Sequence, residues 1–242
     1  MGQAIYRATE GSDTCRIVAG VDINASAVGS ACPFPVYETI TDFPSKADVI
    51  VDFSHHTALT SLLDYAKKTG TPIVVATTGH TDEEKALMKE AANEVAVFFS
   101  GNMSIGINLL MELCRRASET LGESFDVEII EKHHNQKLDA PSGTAIMLAD
   151  AVKETREQTE YVYDRHSVRK KRDPSEIGIH SVRGGTIVGE HEVIFAGMNE
   201  VITLSHSAGS REIFATGALR AAAYLAKKTS GMYNMSDLIN GR

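Results

Sequence analysis

The first hundred residues alternate short apolar runs, rich in β-branched side chains, with longer stretches of helical periodicity, and this alternation restricts the fold more than any other feature of the chain. Four runs, at residues 16–21, 48–53, 72–76 and 95–99, are short enough for buried strands rather than helices. Alternation of this kind is typical of a parallel sheet flanked by helices. We therefore predict an α/β fold built on a doubly wound parallel sheet.

Signals for the ends of helices support the same interpretation. A helix with one apolar face is predicted over residues 57–68, and Gly70 is placed to end it. A second helix is predicted from Thr81 to about residue 93, because the acidic residues that follow Thr81 favour the positive end of a helix dipole.

After residue 102 the pattern changes, and a second kind of structure is predicted. A long amphipathic helix is expected at residues 104–121, a strand at 127–131 and a further helix from Ser142. Three strands then follow with short turns between them, which is typical of an antiparallel meander: 177–182, 187–195 and 201–206.

The last predicted helix, residues 211–228, is rich in alanine and is expected to pack back onto the first domain. We therefore predict one domain at residues 1–104 and 214–242, and a second, α+β domain at residues 105–213.

Charge and cysteine content exclude several classes of function. The 24 Lys and Arg residues against 32 Asp and Glu give a net charge of -8, which disfavours nucleic acid and membrane surfaces as partners. Three widely spaced cysteines fit reduced thiols better than a zinc site or a disulfide framework. No apolar run approaches the roughly 18 residues of a spanning helix, and the N-terminus does not resemble a signal peptide. We expect a cytoplasmic protein.

The densest cluster of reactive side chains lies at residues 131–145 (EKHHNQKLDAPSGTA), where a strand leads into a helix. Ser142 is a natural N-cap, so the backbone N–H groups of Gly143 and Thr144 lie at the positive end of the helix dipole, where a carboxylate would bind. Lys137, just before this turn, is placed to add a positive charge or to donate a proton.

Two other interpretations of this cluster are possible. It could be only a strand, a polar turn and a capped helix, although adjacent histidines with a lysine four residues on exceed what capping requires. It could also be a metal site in which His133 and His134 join His180, His191 or His206. Because neighbouring strand residues point to opposite faces, the two histidines would not easily share a metal, and we predict none.

The run at residues 128–144 (EIIEKHHNQKLDAPSGT) resembles the signature of the 4-hydroxy-tetrahydrodipicolinate reductase family, E-x-H-H-x-x-K-x-D-A-P-S-G-T. The resemblance spans nearly the whole chain. Further similar landmarks occur at residues 51–54, 77–79, 102–104, 106, 108, 183–185, 188–191, 210–211 and 217–220.

The resemblance implies a Rossmann-like dinucleotide-binding domain, a second domain for substrate binding and oligomerisation, and a homotetramer built through the sheet of that second domain. It implies NAD(P)H-dependent reduction of a cyclic dicarboxylate in diaminopimelate and lysine biosynthesis. His133 then occupies the position of the catalytic histidine, His134 that of a substrate contact, and Lys137 that of the proton donor. Gly143 and Thr144 match the pair that binds a substrate carboxylate.

In the family the cofactor lies across the carboxyl ends of the parallel strands, the expected crevice of a doubly wound sheet. Asp22 is placed to accept hydrogen bonds from ribose hydroxyls, and Ile23 follows it with no adjacent arginine for a 2′-phosphate, so NADH is favoured over NADPH. The other residues at cofactor-binding positions are Met1, Ala76, Thr77, Thr78, Ser100, Gly101, Asn102 and Met103.

The family opens with a strand and a G-x-x-G-x-M-G loop, whereas this chain opens with Met1-Gly2, which resembles the final pair of that loop. Residues 3–9 are then predicted to form the helix that follows it. We expect the natural gene product to carry about 10–20 further residues ahead of Met1, since the first strand is central in this fold.

Two alternatives to this enzyme remain open. A non-catalytic relative that binds a nucleotide or a dicarboxylate would share these motifs, and so in part would another dehydrogenase of amino-acid metabolism.

The basic run at residues 169–172 (RKKR) is interpreted first as a solvated loop, then as a surface that steers an anionic substrate.

Overall fold

The structure is a computed structural model that describes residues 1–241. The chain divides into two compact units, one formed by Met1–Ser104 with Glu212–Arg242 and the other by Ile105–Arg211. Each unit contains its own main sheet and its own core of buried side chains.

Both units combine helices with strands. The helices are α1 (Gly2–Thr9), α2 (Ala25–Val28), α3 (Leu59–Thr69), α4 (Asp82–Ala91), α5 (Ile105–Leu121), α6 (Gly143–Lys153), α7 (Glu212–Leu225) and α8 (Met235–Asn240). The strands are β1 (Gly20–Val21), β2 (Val36–Tyr37), β3 (Ile50–Asp52), β4 (Ile73–Val75), β5 (Ala96–Phe99), β6 (Asp126–His133), β7 (Glu160–Val162), β8 (Glu176–Arg183), β9 (Glu190–Ala196), β10 (Val201–Ser207) and β11 (Gly231–Tyr233).

The first unit is organised around a four-stranded parallel sheet in the order β11-β5-β4-β3. Ile73, Val75 and Val97 pack with buried side chains of α3 and α4. The alternate residue Phe98 contacts Tyr224 of α7 instead, because successive strand residues point to opposite faces. Helices therefore cover both faces, and the predicted α/β sheet is confirmed.

The predicted helix ends of this unit are also confirmed. Gly70 ends α3 with a φ of 63°, a left-handed conformation that glycine adopts without steric cost. Thr81 caps α4 in a reciprocal pair with Glu84, since each side chain accepts a hydrogen bond from the backbone of the other residue.

The strand predicted at residues 16–21 is largely wrong. Only Gly20 and Val21 form a strand, and they pair with Val36 and Tyr37 in a separate two-stranded sheet. Val18 and Val21 are 39% and 47% exposed, so this apolar run does not gain the burial on which the prediction rested. The sequence patterns also missed β11 and α8, which are too short for a clear periodicity.

The second unit contains a five-stranded mixed sheet in the order β10-β9-β6-β8-β7. One face of this sheet packs against α5 and α6, and its core includes Val127, Ile129, Ile177, Val193 and Phe195. Strand β6 lies at the centre of the sheet, so its alternate residues are buried beneath the two helices.

The predicted antiparallel meander is wrong in its strand order. Strands β9 and β10 do form an antiparallel pair, but β8 pairs in parallel with β6, which lies between β8 and β9. Alternation of polar and apolar residues shows which face of a strand is buried and does not identify the neighbouring strand. Residues 184–189 therefore cross the end of β6 instead of making a hairpin turn.

Membrane-spanning helices are not found: within residues 1–241 no helix combines the length and the apolar character that crossing a bilayer requires.

Candidate active site

The connection from β6 to α6 carries the reactive side chains of the second unit. The two-residue period of β6 places Glu131 and His133 on the face that carries Val127 and Ile129, so all four side chains are buried under the helices. At the far end of the connection the Ser142 hydroxyl accepts a hydrogen bond from the Ala145 N–H at 3.2 Å and begins α6, as predicted.

Glu131 is completely buried, and its two carboxylate oxygens contact three residues: Ser142, Arg183 and His133. Oε1 accepts from the Ser142 N–H at 3.1 Å and from Arg183 Nη2 at 2.7 Å. Oε2 accepts from Arg183 Nη1 at 2.8 Å and contacts His133 Nδ1 at 2.5 Å. Burial raises the pKa of Glu131, but hydrogen bonds from Arg183, Ser181 and His133 outweigh it and lower the pKa to about 2. The carboxylate is therefore charged at neutral pH.

His133 is oriented by this carboxylate and by its neighbours. Its Nδ1 lies 2.5 Å from Glu131 Oε2, so the ring contacts the carboxylate through this nitrogen. A Cβ atom added at Gly189 would lie 3.1 Å from Nε2, which shows that the backbone of Gly189 is held close to this nitrogen. The His191 ring packs edge-on at a centroid distance of 5.2 Å.

His191 is a buried neutral base at this site. Its Nε2 lies 3.1 Å from the Ser142 hydroxyl, and its Nδ1 has no hydrogen-bond partner among residues 1–241. Burial, together with the smaller effect of the nearby His133, lowers the pKa of His191 to about 4, so the ring carries no charge near neutral pH.

Lys137 lies on the same connection as His133, and its Nζ pairs with Asp139 Oδ1 at 2.8 Å. The hydrogen bond from Lys137 lowers the pKa of the Asp139 carboxyl. Arg183 Nη2 also donates to the Asp139 carbonyl at 2.6 Å, which fastens this segment to the end of β8. His134 follows β6 and is half-buried, and its carbonyl accepts from the Lys137 N–H at 3.1 Å.

The predicted pair Gly143 and Thr144 forms the first turn of α6. A Cβ atom added at Gly143 would meet no atom within 4 Å apart from its chain neighbours and the backbone of its own helix, so this position borders open space among residues 1–241. An ammonium group, an oriented imidazole and a helix N-terminus thus belong to one connection, and this set can bind an anion and move a proton.

Sequence reasoning gave no role in this site to Glu131, Arg183 or His191, although Glu131 and Arg183 lay in the motifs and His191 was considered as a metal ligand. Glu131 had a recognisable signal, since it lies two positions before His133 and therefore on the same strand face. Arg183 and His191 contact the site from other strands, and no local pattern indicates such contacts.

The candidate metal ligands do not form a cluster. His180 instead contacts Glu128: the Nε2 atom of His180 lies 2.7 Å from the Oε2 atom of Glu128. Within residues 1–241 no group of three or more His, Cys, Asp or Glu side chains is arranged so that it could hold a metal ion.

The predicted cofactor-binding residues lie in the first unit, most of them at the carboxyl ends of its parallel strands. Asp52, at the end of β3, accepts a hydrogen bond from the Thr77 hydroxyl at 2.9 Å and from the Ser54 N–H at 2.8 Å. The Ala76 N–H donates to the Asp52 carbonyl at 2.9 Å, and Thr78 beside them is exposed. These bonds hold the ends of β3 and β4 together.

The loop after β5 contains the next four predicted residues. The Ser100 hydroxyl donates to the Asn102 carbonyl at 2.8 Å, and Gly101 between them is exposed. Met103 is buried, and α7 approaches its carbonyl so closely that a Cβ atom at Gly217 would collide with it. Since β4 and β5 are adjacent parallel strands, the structure brings this loop beside Thr77 and Thr78.

Asp22 and Met1 lie elsewhere in the first unit. Asp22 is exposed directly after β1, and its carboxylate accepts from the Asn24 N–H at 2.8 Å. The Met1 carbonyl accepts from the Ala4 N–H at 2.8 Å at the start of α1. Asp22 therefore belongs to the two-stranded sheet and not to the sheet that carries Thr77 and Ser100.

These residues fit a dinucleotide. Exposed hydroxyl, carboxylate and glycine positions at the carboxyl ends of parallel strands are the groups that ribose hydroxyls and phosphates require. Gly79, with a φ of 84°, and Gly101 add backbone that a ligand can approach closely.

The basic run lies outside this site and is partly occupied in structural ion pairs. Lys170 pairs with the buried carboxylate of Glu176 at 2.9 Å. Arg172 pairs with Asp126 at 2.7 Å and Glu128 at 3.0 Å. The run lies in a loop, as interpreted, and Lys170 is exposed, whereas Arg172 is half-buried.

Comparison with known proteins gives a consistent result over the whole chain. The family described as "Dihydrodipicolinate reductase, N-terminus" matches residues 1–103, and "Dihydrodipicolinate reductase, C-terminus" matches residues 106–239. A 4-hydroxy-tetrahydrodipicolinate reductase of Caldanaerobacter subterraneus subsp. tengcongensis is 50% identical over 240 residues, 99% of this chain and 94% of the relative. The Clostridium tetani protein of that name is 47% identical, covering 99% and 93%.

Among solved structures, a dipicolinate-bound dihydrodipicolinate reductase from Paenisporosarcina sp. TG-14 superposes with a TM-score of 0.80 at 26% identity. The match covers 98% of this chain and 94% of the other. It agrees with a Rossmann-like domain followed by a domain with a mixed sheet.

The charge of Glu131 makes a pH-dependent contribution to the stability of the folded protein. Because its pKa falls from the ordinary 4.5 to about 2 on folding, the stabilisation is complete above about pH 5 and is lost as the pH falls through about 2. We expect Glu131→Gln to lower the free energy of unfolding by about 3 kcal/mol near pH 6 and by almost nothing near pH 2.

Urea unfolding at a series of pH values measures this difference. Glu157→Gln, at an exposed carboxylate of the same unit, is the control and should change the free energy of unfolding little at any pH. A deficit for Glu131→Gln that stays constant from pH 6 to about pH 2 would contradict the account.

Proposed function

The chain belongs to the dihydrodipicolinate reductase family, and from this membership we propose a reaction and a role for each site residue. The protein is an oxidoreductase that reduces 4-hydroxy-tetrahydrodipicolinate to tetrahydrodipicolinate with NAD(P)H, a step of diaminopimelate and lysine biosynthesis. The observation that carries the assignment of roles is the β6–α6 connection, which holds His133, Lys137 and the Ser142-capped helix start together.

The second unit binds the dicarboxylate. One substrate carboxylate accepts hydrogen bonds from the backbone N–H groups of Gly143 and Thr144, where the helix dipole favours negative charge. His134 and Lys137 contact the substrate from the preceding residues of the connection. The dipicolinate bound to the Paenisporosarcina enzyme is a planar dicarboxylate of the same chemical class, which supports this proposal.

The cofactor supplies a hydride to one ring carbon when it is bound. Loss of the 4-hydroxyl group together with a hydrogen of the neighbouring ring carbon releases water and leaves a conjugated ring. The hydride then adds at one of these carbons and Lys137 donates the proton to its neighbour, so the net change is that hydrogen takes the place of the hydroxyl group. The ammonium group also attracts the dianionic substrate before it gives up this proton. His133 orients the substrate and relays the proton, and His191, neutral and buried, keeps the His133 ring in place.

The first unit binds the cofactor. Asp22 accepts hydrogen bonds from the adenosine ribose, and Met1 at the start of α1 lies beside the pyrophosphate. Ala76, Thr77 and Thr78 line the nicotinamide half of the cofactor together with the loop after β5, which is formed by Ser100, Gly101, Asn102 and Met103.

The reaction is tested directly by the loss of NADH absorbance at 340 nm with enzymatically generated substrate. Turnover that depends on both substrate and cofactor is expected. Binding of NADH or of dipicolinate without any turnover would identify the chain as a non-catalytic relative instead.

Removing the proposed proton donor should abolish most turnover. We expect Lys137→Ala to lower kcat by about 10²–10⁴-fold and to raise KM, because one group both binds the dianion and supplies the proton. His133→Ala should lower kcat with a smaller effect on KM. Steady-state kinetics measures both, and Lys171→Ala, at an exposed lysine of the same unit, should behave as wild type. Wild-type kcat in a folded Lys137→Ala protein would refute the assignment.

NADH should be preferred over NADPH. The Asp22 carboxylate accepts hydrogen bonds from ribose hydroxyls and repels a 2′-phosphate, and the neighbouring Ile23 is an exposed apolar residue. We expect a higher kcat/KM with NADH, and a smaller preference in Asp22→Asn. Asp13→Asn, at another exposed acid of this unit, should keep the wild-type ratio. A higher kcat/KM with NADPH in the wild type would show that another group selects the cofactor.

The protein should assemble as a homotetramer in the cytoplasm, where its three free cysteines would stay reduced. The sheet of the second unit has one face that α5 and α6 leave uncovered, and its edge strand β10 carries the exposed Val201. Light scattering should give a mass near four times the chain mass of 26.2 kDa. A monomer across a concentration series would refute the assembly.

A further inference from the structure

We propose that Glu131 is a positioning residue that fixes the tautomer and the ring orientation of His133, so that Nε2 is the nitrogen that exchanges a proton during turnover. The inference rests on the proposed function for the role of His133 in the reaction. The tautomer itself is a property of the protein alone and can be measured separately.

The first step of the argument is the contact between the two side chains. Glu131 Oε2 and His133 Nδ1 lie 2.5 Å apart, and both residues are buried on the same face of β6. A carboxylate offers only acceptors, so this contact requires a proton on Nδ1. Nε2 then accepts a proton when the ring is neutral and donates one when the ring is charged.

The second step is that Glu131 keeps its negative charge. Arg183 binds both carboxylate oxygens through its two terminal nitrogens, at 2.7 and 2.8 Å. The Ser142 N–H adds a third hydrogen bond. A bidentate guanidinium pair of this kind resists protonation of the carboxyl, because it is a strong, charge-assisted interaction. The negative charge beside Nδ1 then stabilises the imidazolium that forms when Nε2 takes a proton.

The third step is that neighbouring groups restrict rotation of the His133 ring. His191 packs edge-on against His133 and is itself held by the Ser142 hydroxyl. The backbone of Gly189 lies against the Nε2 edge, where a side chain would crowd the nitrogen.

The titratable and charged groups around His133 come from several neighbouring elements. Strand β6 supplies Glu131, and β8 supplies Arg183. Strand β9 supplies His191, which interacts electrostatically with His206 of β10 and with Lys137 of the connection. Glu131 is the acidic side chain among them that touches the His133 ring.

Glu176 offers a matched comparison within the same sheet. Its carboxylate is also fully buried, and hydrogen bonds from Lys170 and Arg165 lower its pKa to about 2. Its ion-pair partners are Arg165 and Lys170, and no histidine is among them in the described part of the chain. A buried, paired carboxylate is therefore common to both sites, and the contact with a reactive imidazole distinguishes Glu131.

Solid-state NMR of protein labelled with 15N-histidine tests the proposal. The protein contains nine histidines, so the His133 signals are assigned by their loss in His133→Asn. At about pH 8 the wild-type ring should carry its proton on Nδ1. In Glu131→Gln the amide can donate as well as accept, so the Nε2-protonated form should appear.

Kinetics provides the second readout. We expect Glu131→Gln to lower kcat by about 10²-fold with KM changed much less, and to shift the acid limb of the pH profile of kcat. Glu176→Gln should lose stability but should keep the wild-type His133 signals and the wild-type pH profile. A purely structural role for Glu131 predicts that the two variants behave alike.

The outcomes separate this inference from the proposed function. A wild-type His133 protonated on Nε2 overturns the inference, as does a folded Glu131→Gln with unchanged tautomer and pH profile. If Glu131→Gln does not fold, the wild-type spectrum alone decides about the tautomer. If wild-type protein shows no turnover with NADH or NADPH, the proposed function fails, whereas the tautomer result stands.

Discussion

The contact of the Glu131 carboxylate with Arg183, His133 and the Ser142 N–H is the interaction on which the site in the second unit depends. Transferring a carboxylate from water to the protein interior costs several kcal/mol of free energy, and only charged and polar partners around the carboxylate offset this cost. In this protein the partners come from the end of β6, the end of β8 and the start of α6. One buried charge therefore joins three elements at the point where substrate is proposed to bind.

This arrangement prepares the site for an anion before any ligand is present. The buried negative charge of Glu131 is matched by Arg183, so it does not cancel the positive end of the α6 dipole or the charge of Lys137. His191 stays neutral because burial lowers its pKa to about 4, so it holds Ser142 and the His133 ring without adding a second positive charge. Electrostatic groups that are already in place need not reorganise during the reaction, which is the main physical requirement for catalysis of this kind.

Local features were predictable from the sequence, and contacts between distant strands were not. The caps at Thr81 and Ser142 and the stop at Gly70 depend on neighbouring residues alone, and all three are confirmed. The order of β8, β6 and β9 was predicted wrongly because alternation does not encode the neighbour of a strand. Arg183 lies 52 residues from Glu131, so their contact follows from that strand order and from no local motif. The role of His133 came from resemblance to a family signature, and that of Lys137 from its place before the capped helix together with the same resemblance; the structure adds the groups that surround both side chains.

The central claim is that a preformed site, organised by Glu131, binds a dicarboxylate at the start of α6. A crystal structure of this protein with dipicolinate tests it most directly. The account predicts a ligand carboxylate about 2.7–3.2 Å from the backbone nitrogens of Gly143 and Thr144, with the contacts of Glu131 to His133 and Arg183 unchanged. Dipicolinate bound away from α6, or bound there only after Glu131 has left Arg183, would contradict it.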